Sequence, residues 1–202
     1  MNSDVLPVNM DVALYQAARA RMLSDPQWAG QFEWSESVTR PANADSMARE
    51  LIFVIANSGM KNTIARTIFR RVMQALEAGD DPATVFGHAG KCAAMAMIWR
   101  DRERLFHELS ELSDIEIAEW SARLKFIGTI TKWHAAKNLG ADVAKPDRWL
   151  ERVSALSNES VMQLCTRLAE ATGDRVATVD LVIWWAMAYG VLVIKHGTLR
   201  LA

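Results

Sequence analysis

Apolar residues recur three and four positions apart through most of this chain and rarely alternate at a spacing of two, so the pattern predicts helices rather than a sheet. Ala48, Leu51, Ile52 and Ile55 mark a helix over 44–56, and Ile64, Ile68, Val72, Ala75 and Leu76 mark another over 61–78, closed by Gly79-Asp-Asp-Pro. A helix over 11–23 starts behind Asp11, which is available to cap it. Shorter helices are expected over 82–86, 91–100 and 101–109. Asp114 opens a capping-box-like start to a helix carrying Ile117, Trp120 and Leu124. The next helix runs from Thr131 to about Leu139-Gly140. Pro146 then fits the first turn of a helix that turns Trp149, Leu150 and Val153 inward, and helices over 157–171 and 175–188 complete the pattern. Between the first two long helices, residues 24–45 lack sustained periodicity and read as a connection anchored by Trp28, Phe32 and Trp34. Residues 1–9 read as an irregular arm.

With 202 residues, half of them apolar, the chain is long enough to bury a substantial core in one unit. The fold class expected is all-α. Its two cysteines, Cys92 and Cys165, form no CxxC pair, which argues against a disulfide framework or a cysteine-rich metal site and fits a reducing, cytoplasmic setting. His88, His107, His134 and His196 form no ligand-spaced cluster, so no catalytic metal is assigned. The apolar run 176–194 is interrupted by Asp180 and Gly190 and reads as a buried helix with a strand-like or irregular tail, not as a membrane partner. Asp180 within it calls for a partner, either as a helix cap or paired with Arg175 or Lys195.

Charge changes the picture locally. The whole chain carries only -1, but residues 123–152 hold seven basic and three acidic side chains, an excess of four, so the remainder is net negative by five. Within that basic stretch, Lys125-Phe-Ile-Gly-Thr-Ile joins two helices. Such a joint can aim turn and helix-terminal amides at a phosphate, with Gly128 permitting close backbone approach and Phe126, Ile127 and Ile130 packing the turn. From spacing alone it is equally an ordinary helix connection, and Asp147 is equally a plain helix cap.

The run Phe126-Ile-Gly-Thr-Ile-Thr-Lys132, followed by Pro146-Asp147-Arg-Trp-Leu-Glu-Arg152, resembles the hairpin and catalytic-aspartate region of the helix-hairpin-helix DNA glycosylase superfamily, which includes the endonuclease-III-like and 8-oxoguanine glycosylases. The family hairpin reads Leu-Pro-Gly-Val-Gly and then Lys in bifunctional members. Here Ile130 stands in place of the second glycine and Trp149 where a histidine often sits. A weaker resemblance places Val54-Ile-Ala-Asn-Ser-Gly-Met-Lys61 at the family's DNA-inserting turn. The absence of a cysteine cluster sets the chain apart from the iron-sulfur subgroup.

The resemblance implies a single glycosylase-like unit over 1–202, with lobes near 45–110 and 111–202, residues 1–44 packing across them, and the hairpin over 114–139. It implies Asp147 as the catalytic carboxylate and Lys132 as a Schiff-base lysine, with Thr131 as the neighbouring alternative in register. Trp133, Trp99, His134 and Trp149 become candidates for the base pocket, and Asn57, Ser58 and Met60 for insertion into the duplex. Gly128, Ile130, Thr131, Lys125, Lys145, Arg148 and Arg152 become candidates for the DNA backbone. The partner would be double-stranded DNA bearing a damaged or modified base, met by a monomer in the cytoplasm or nucleoid. No cofactor is needed for catalysis, and a structural monovalent cation at the hairpin is the only ion the resemblance suggests. Two other readings stand beside it, a noncatalytic DNA-binding hairpin protein and a helical protein-interaction domain.

Overall fold

The structure, a computed structural model, describes residues 9–202. The expected N-terminal arm therefore lies, apart from Asn9, outside the described residues. Those residues form eleven α-helices, one 3₁₀ turn at Pro82–Thr84 and one two-stranded antiparallel sheet. They divide into two compact units, one of residues 39–141 and one that joins the chain up to Val38 with 142–202. The division thus falls after Val38 and Ala141 rather than at 110/111, because the helices from 142 onward share a core with those before Val38.

In the 39–141 unit, α3 (Ala44–Asn57) is the central element, packed by α4 (Asn62–Ala78), α5 (Ala89–Arg100), α6 (Arg102–Ser110) and α8 (Thr131–Asn138). Its start is fixed by a reciprocal capping box between Asn43 and Ser46. Met47, Ala48, Leu51, Ile52, Val54, Ile55 and Ala56 are buried along it. Gly79, at φ 81°, ends α4 in the left-handed region that glycine adopts without strain. α7 (Asp114–Ser121) is capped one residue earlier than the sequence suggested. Ser113 and Glu116 form a capping box with the standard spacing that Asp114 could not supply.

In the other unit, α11 (Val176–Ala188) is apolar on nearly every side and is packed by α1 (Val12–Leu23), α2 (Pro26–Ser37), α9 (Arg148–Ala155) and α10 (Val161–Thr172). Buried Tyr15 donates its hydroxyl to Asp174 at 2.7 Å, and Arg19 holds the same carboxylate through Nε at 2.9 Å, tying α1 to the turn between α10 and α11. Burial and the Asp174 hydrogen bond push the Tyr15 phenol well above its ordinary range, keeping it a donor. The tail is a hairpin, β1 (Leu192–Lys195) paired with β2 (Thr198–Leu201) in the register Leu192 to Leu201 and Lys195 to Thr198.

Three expectations are corrected. Residues 26–37 form α2 rather than a connection, since the Asp25 side chain accepts from the Gln27 amide and Pro26 suits the first helical position. Of its expected anchors Phe32 is buried, but Trp34 is exposed. Pro146 precedes its helix rather than opening it, because Asp147 is the N-cap of α9.

Candidate functional site

The hairpin lies wholly in the 39–141 unit, where α7 and α8 pack together as its two arms. The left-handed residue of the connecting turn is Phe126, at φ 70°, not Gly128, whose φ is not positive. For a side chain with a Cβ that conformation costs roughly 1–2 kcal/mol. The Phe126 ring is fixed by the edge of His88 at 5.5 Å between centroids and lies over Gly90, where an added Cβ would come within 2.9 Å of it. Ile127 is buried beneath the turn, while Ile130, expected to pack there, is 45% exposed at its tip. Gly128 has open space where a side chain would stand.

Helix α8 starts at Thr131 without a capping side chain, and the Lys132 amide bonds the Gly128 carbonyl at 2.9 Å. The start of this helix is therefore the kind of amide-rich, open terminus that suits a phosphate. Lys132 occupies its second position. Its side chain is only 15% exposed and its Nζ lies 2.5 Å from Oε1 of Glu119 on α7. The same ammonium is 5.1 Å from the centre of the Trp133 ring. Trp133 and His134 are half-buried on α8, and Lys125 is exposed beside Phe126. Glu119 was not singled out from the sequence, since its partner lies thirteen residues on, beyond the turn.

Trp99 is half-buried on α5 under the guanidinium of Arg102, 4.4 Å from the ring centre, and Arg102 also bonds Asp45 at 2.5 Å. It is thus part of the α5–α6 junction, and the contacts described do not bring it to Lys132. The turn after α3 places Asn57, Ser58 and Met60 half-buried, with Gly59 at φ 73° and Lys61 exposed. Buried Lys91 donates from Nζ to the Ser58 carbonyl at 2.6 Å and so pins this turn to α5. Burial lowers the affinity of the Lys91 amine for its proton. A surface pocket of about 250 Å³ between Met97, Leu105, Trp120 and Leu124 has Arg104, Arg123 and Glu108 on its rim and includes none of the predicted site residues.

The other candidate residues lie in the unit of α9 and α11. Asp147 accepts the Trp149 and Leu150 amides at 2.9 and 3.2 Å, both on Oδ1, which leaves the cap in place with the other oxygen outside it. The Asp147 amide bonds the Lys145 carbonyl at 2.8 Å, a tight turn around Pro146. The Lys145 amide in turn donates to Oδ2 of buried Asp180 at 2.7 Å. Asp180 therefore accepts a backbone amide, as a cap would, but one from the stretch before α9 rather than from its own helix. Arg175 goes to the Ser35 and Val38 carbonyls, each at 2.8 Å, and toward Asp142 at 3.7 Å. Half-buried Trp149 is flanked by the guanidinium groups of Arg148 and Arg152, 4.8 and 5.2 Å from the ring centre, so these three residues form one cationic aromatic face on α9.

Among the described residues no group of three or more histidine, cysteine or acidic side chains is placed to hold a metal ion, and no helix is long and apolar enough to cross a membrane. No protein-family model and no curated protein sequence matches the chain. Solved structures do. The 8-oxoguanine glycosylase/lyase of Methanocaldococcus jannaschii, in complex with a 15mer DNA containing 8-oxoguanine, superposes with a TM-score of 0.63 at 14% identity, covering 88% of this chain and 98% of that one. The 8-oxoguanine DNA glycosylase of Thermotoga maritima superposes with a TM-score of 0.60 at 17% identity, covering 86% and 95%. The fold is that of the helix-hairpin-helix DNA glycosylases.

Proposed function

We propose that this chain is a DNA base-excision glycosylase that removes a damaged or modified base from duplex DNA, with an oxidised purine as the first substrate class to test. The observation that carries the reading is Asp147, held as a helix N-cap behind Pro146 with one carboxylate oxygen outside the cap, in a chain that covers nearly the full length of two solved 8-oxoguanine glycosylases. The target nucleotide is turned out of the stack, and Asn57, Ser58 or Met60 fills the gap it leaves. In the 39–141 unit Trp133 and His134, and less directly Trp99, are the candidates to receive the base, and in the other unit Trp149 is the candidate. The α8 amides around Gly128, Ile130 and Thr131, together with Lys125, Lys145, Arg148 and Arg152, hold phosphates and set register without reading sequence.

As the bond from C1′ to the base nitrogen lengthens, positive charge grows on the deoxyribose, and the Asp147 carboxylate stabilises it. In the bifunctional version Nζ of Lys132 forms the new bond to C1′ while the electron pair of the broken bond leaves with the base, which takes up a proton. The Glu119 contact favours the alternative, in which Lys132 stays an ammonium that anchors a phosphate and water attacks C1′. No cofactor takes part in either version, and a monovalent cation at the hairpin would serve structure alone. The protein acts as a monomer in the cytoplasm or nucleoid.

The test is abasic-site production over time on a panel of duplexes with oxidised, alkylated and otherwise modified bases, with and without alkali. Product that depends on the modification supports excision, and strand breaks without alkali add lyase chemistry. Salt-sensitive binding with no product from any duplex would instead support a noncatalytic DNA-binding protein.

A further inference from the structure

Asp180 is a carboxylate, 4% exposed, in a helix that is otherwise apolar on nearly every side. An apolar side chain would pack such a position without the desolvation that a charge suffers there, so the carboxylate calls for a use. Its described use is the Lys145 amide, at 2.7 Å. That amide belongs to residues 142–147, a stretch with no helix or strand of its own to hold it. The stretch is fastened to α11 at two points. Asp142 accepts the Ala177 amide at 2.9 Å at one end, and Asp180 accepts the Lys145 amide at the other.

Lys145 also holds the start of α9 through its carbonyl. The Lys145 carbonyl accepts the Asp147 amide at 2.8 Å, and Oδ1 of Asp147 accepts the Trp149 and Leu150 amides. The path from the core of α11 to the Asp147 carboxylate thus consists of two hydrogen bonds joined by the covalent backbone of Lys145 and ending in the side chain of Asp147, and the first of them is charge-assisted and accepted by a buried carboxylate. We infer that Asp180 is a positioning residue that sets the placement of the Asp147 carboxylate through the Lys145 amide. The inference rests on the reading of Asp147 as the catalytic carboxylate. Asp180 touches no substrate. It acts as outer partners of catalytic groups do, by fixing the orientation of a neighbour that reacts.

The test combines single-turnover excision, DNA binding and amide hydrogen exchange in Asp180→Asn, which keeps the side-chain shape and removes the charge. The single-turnover rate is expected to fall by about 10- to 100-fold, in the range found when outer partners are removed. DNA affinity should stay within about twofold, and exchange at the Trp149 and Leu150 amides should accelerate while α10 keeps its protection. A single-turnover rate within threefold of the wild type, or exchange that accelerates equally in α10, would overturn the proposal. In the wild type the Lys145 amide should be the slowest to exchange between 142 and 147, and rapid exchange there overturns the proposal even if the variant does not fold. If the wild type excises no base, the functional reading fails, and the exchange measurements still decide whether Asp180 holds Asp147 in place.

Discussion

Glu119 and Lys132 meet across the hairpin with 2.5 Å between Oε1 and Nζ, the lysine side chain largely sheltered and the carboxylate 64% exposed. An ammonium held this way has no lone pair with which to attack a sugar carbon. If Lys132 serves as a nucleophile, Glu119 restrains it, and Glu119→Gln should raise the yield of borohydride-trapped enzyme–DNA adduct severalfold, with Lys132→Ala abolishing it. An unchanged absence of adduct in Glu119→Gln, with excision intact, would make Lys132 an anchor and the enzyme monofunctional.

Asp147 has a structural duty as N-cap that can be separated from its chemistry. Asparagine caps helices about as well as aspartate, whereas alanine in this position costs about 1 kcal/mol. Asp147→Asn should therefore unfold at the wild-type denaturant midpoint while losing excision by more than about 100-fold, on the scale of lost transition-state electrostatics. Asp147→Ala should lose both.

Much of this was legible in the sequence, and what was not has identifiable causes. The faces of α3 and α4 were plain because their apolar residues recur at helical spacing over fourteen and seventeen residues. α2 was not, because Ser24-Asp25-Pro26 reads as loop punctuation, although Asp followed by Pro is also a cap and a first helical residue. Trp34 and Ile130 are apolar and were expected inside, yet both are exposed. Asp147 could be named as a helix cap from its place after Pro146, and as a catalytic candidate only through the family resemblance. The bond from the Lys145 amide to Asp180 could not be named, because a backbone amide leaves no mark in the sequence. The Glu119 contact was hidden for a related reason, as it depends on how the turn at Phe126 folds the two arms together.

Gly140 is required by shape. At φ 85° an added Cβ would stand 2.4 to 2.5 Å from the Thr39 carbonyl and the Arg40 amide, where only backbone movement could relieve the clash. Gly140→Ala should destabilise the protein by on the order of 3 kcal/mol, read from chemical denaturation. Gly128→Ala meets open space, so it should leave stability nearly unchanged and weaken DNA binding if the turn backbone approaches phosphate.

Glu50 on α3 accepts from the Asn138 side chain at 3.0 Å, yet burial outweighs that bond and raises its carboxyl above the ordinary value of 4.5. A carboxyl that holds its proton more tightly when folded adds stability below pH 4.5, and that stability is lost as pH rises through the raised value. Glu50→Gln keeps an acceptor for Asn138 and removes the titration. Its melting temperature should exceed the wild type's at pH 7, with the difference closing toward pH 4. An equal difference at both pH values would contradict this assignment.

Release of the free base from duplex DNA containing 8-oxoguanine, followed by mass spectrometry under single-turnover conditions in the wild type and Asp147→Asn, bears most directly on the central claim. The account predicts stoichiometric free base from the wild type and none above background from Asp147→Asn over the same interval. Free base released at equal rates by both proteins would contradict the role given to Asp147. The absence of free base from the wild type on this duplex and on every other modified duplex of the panel would contradict the glycosylase reading itself.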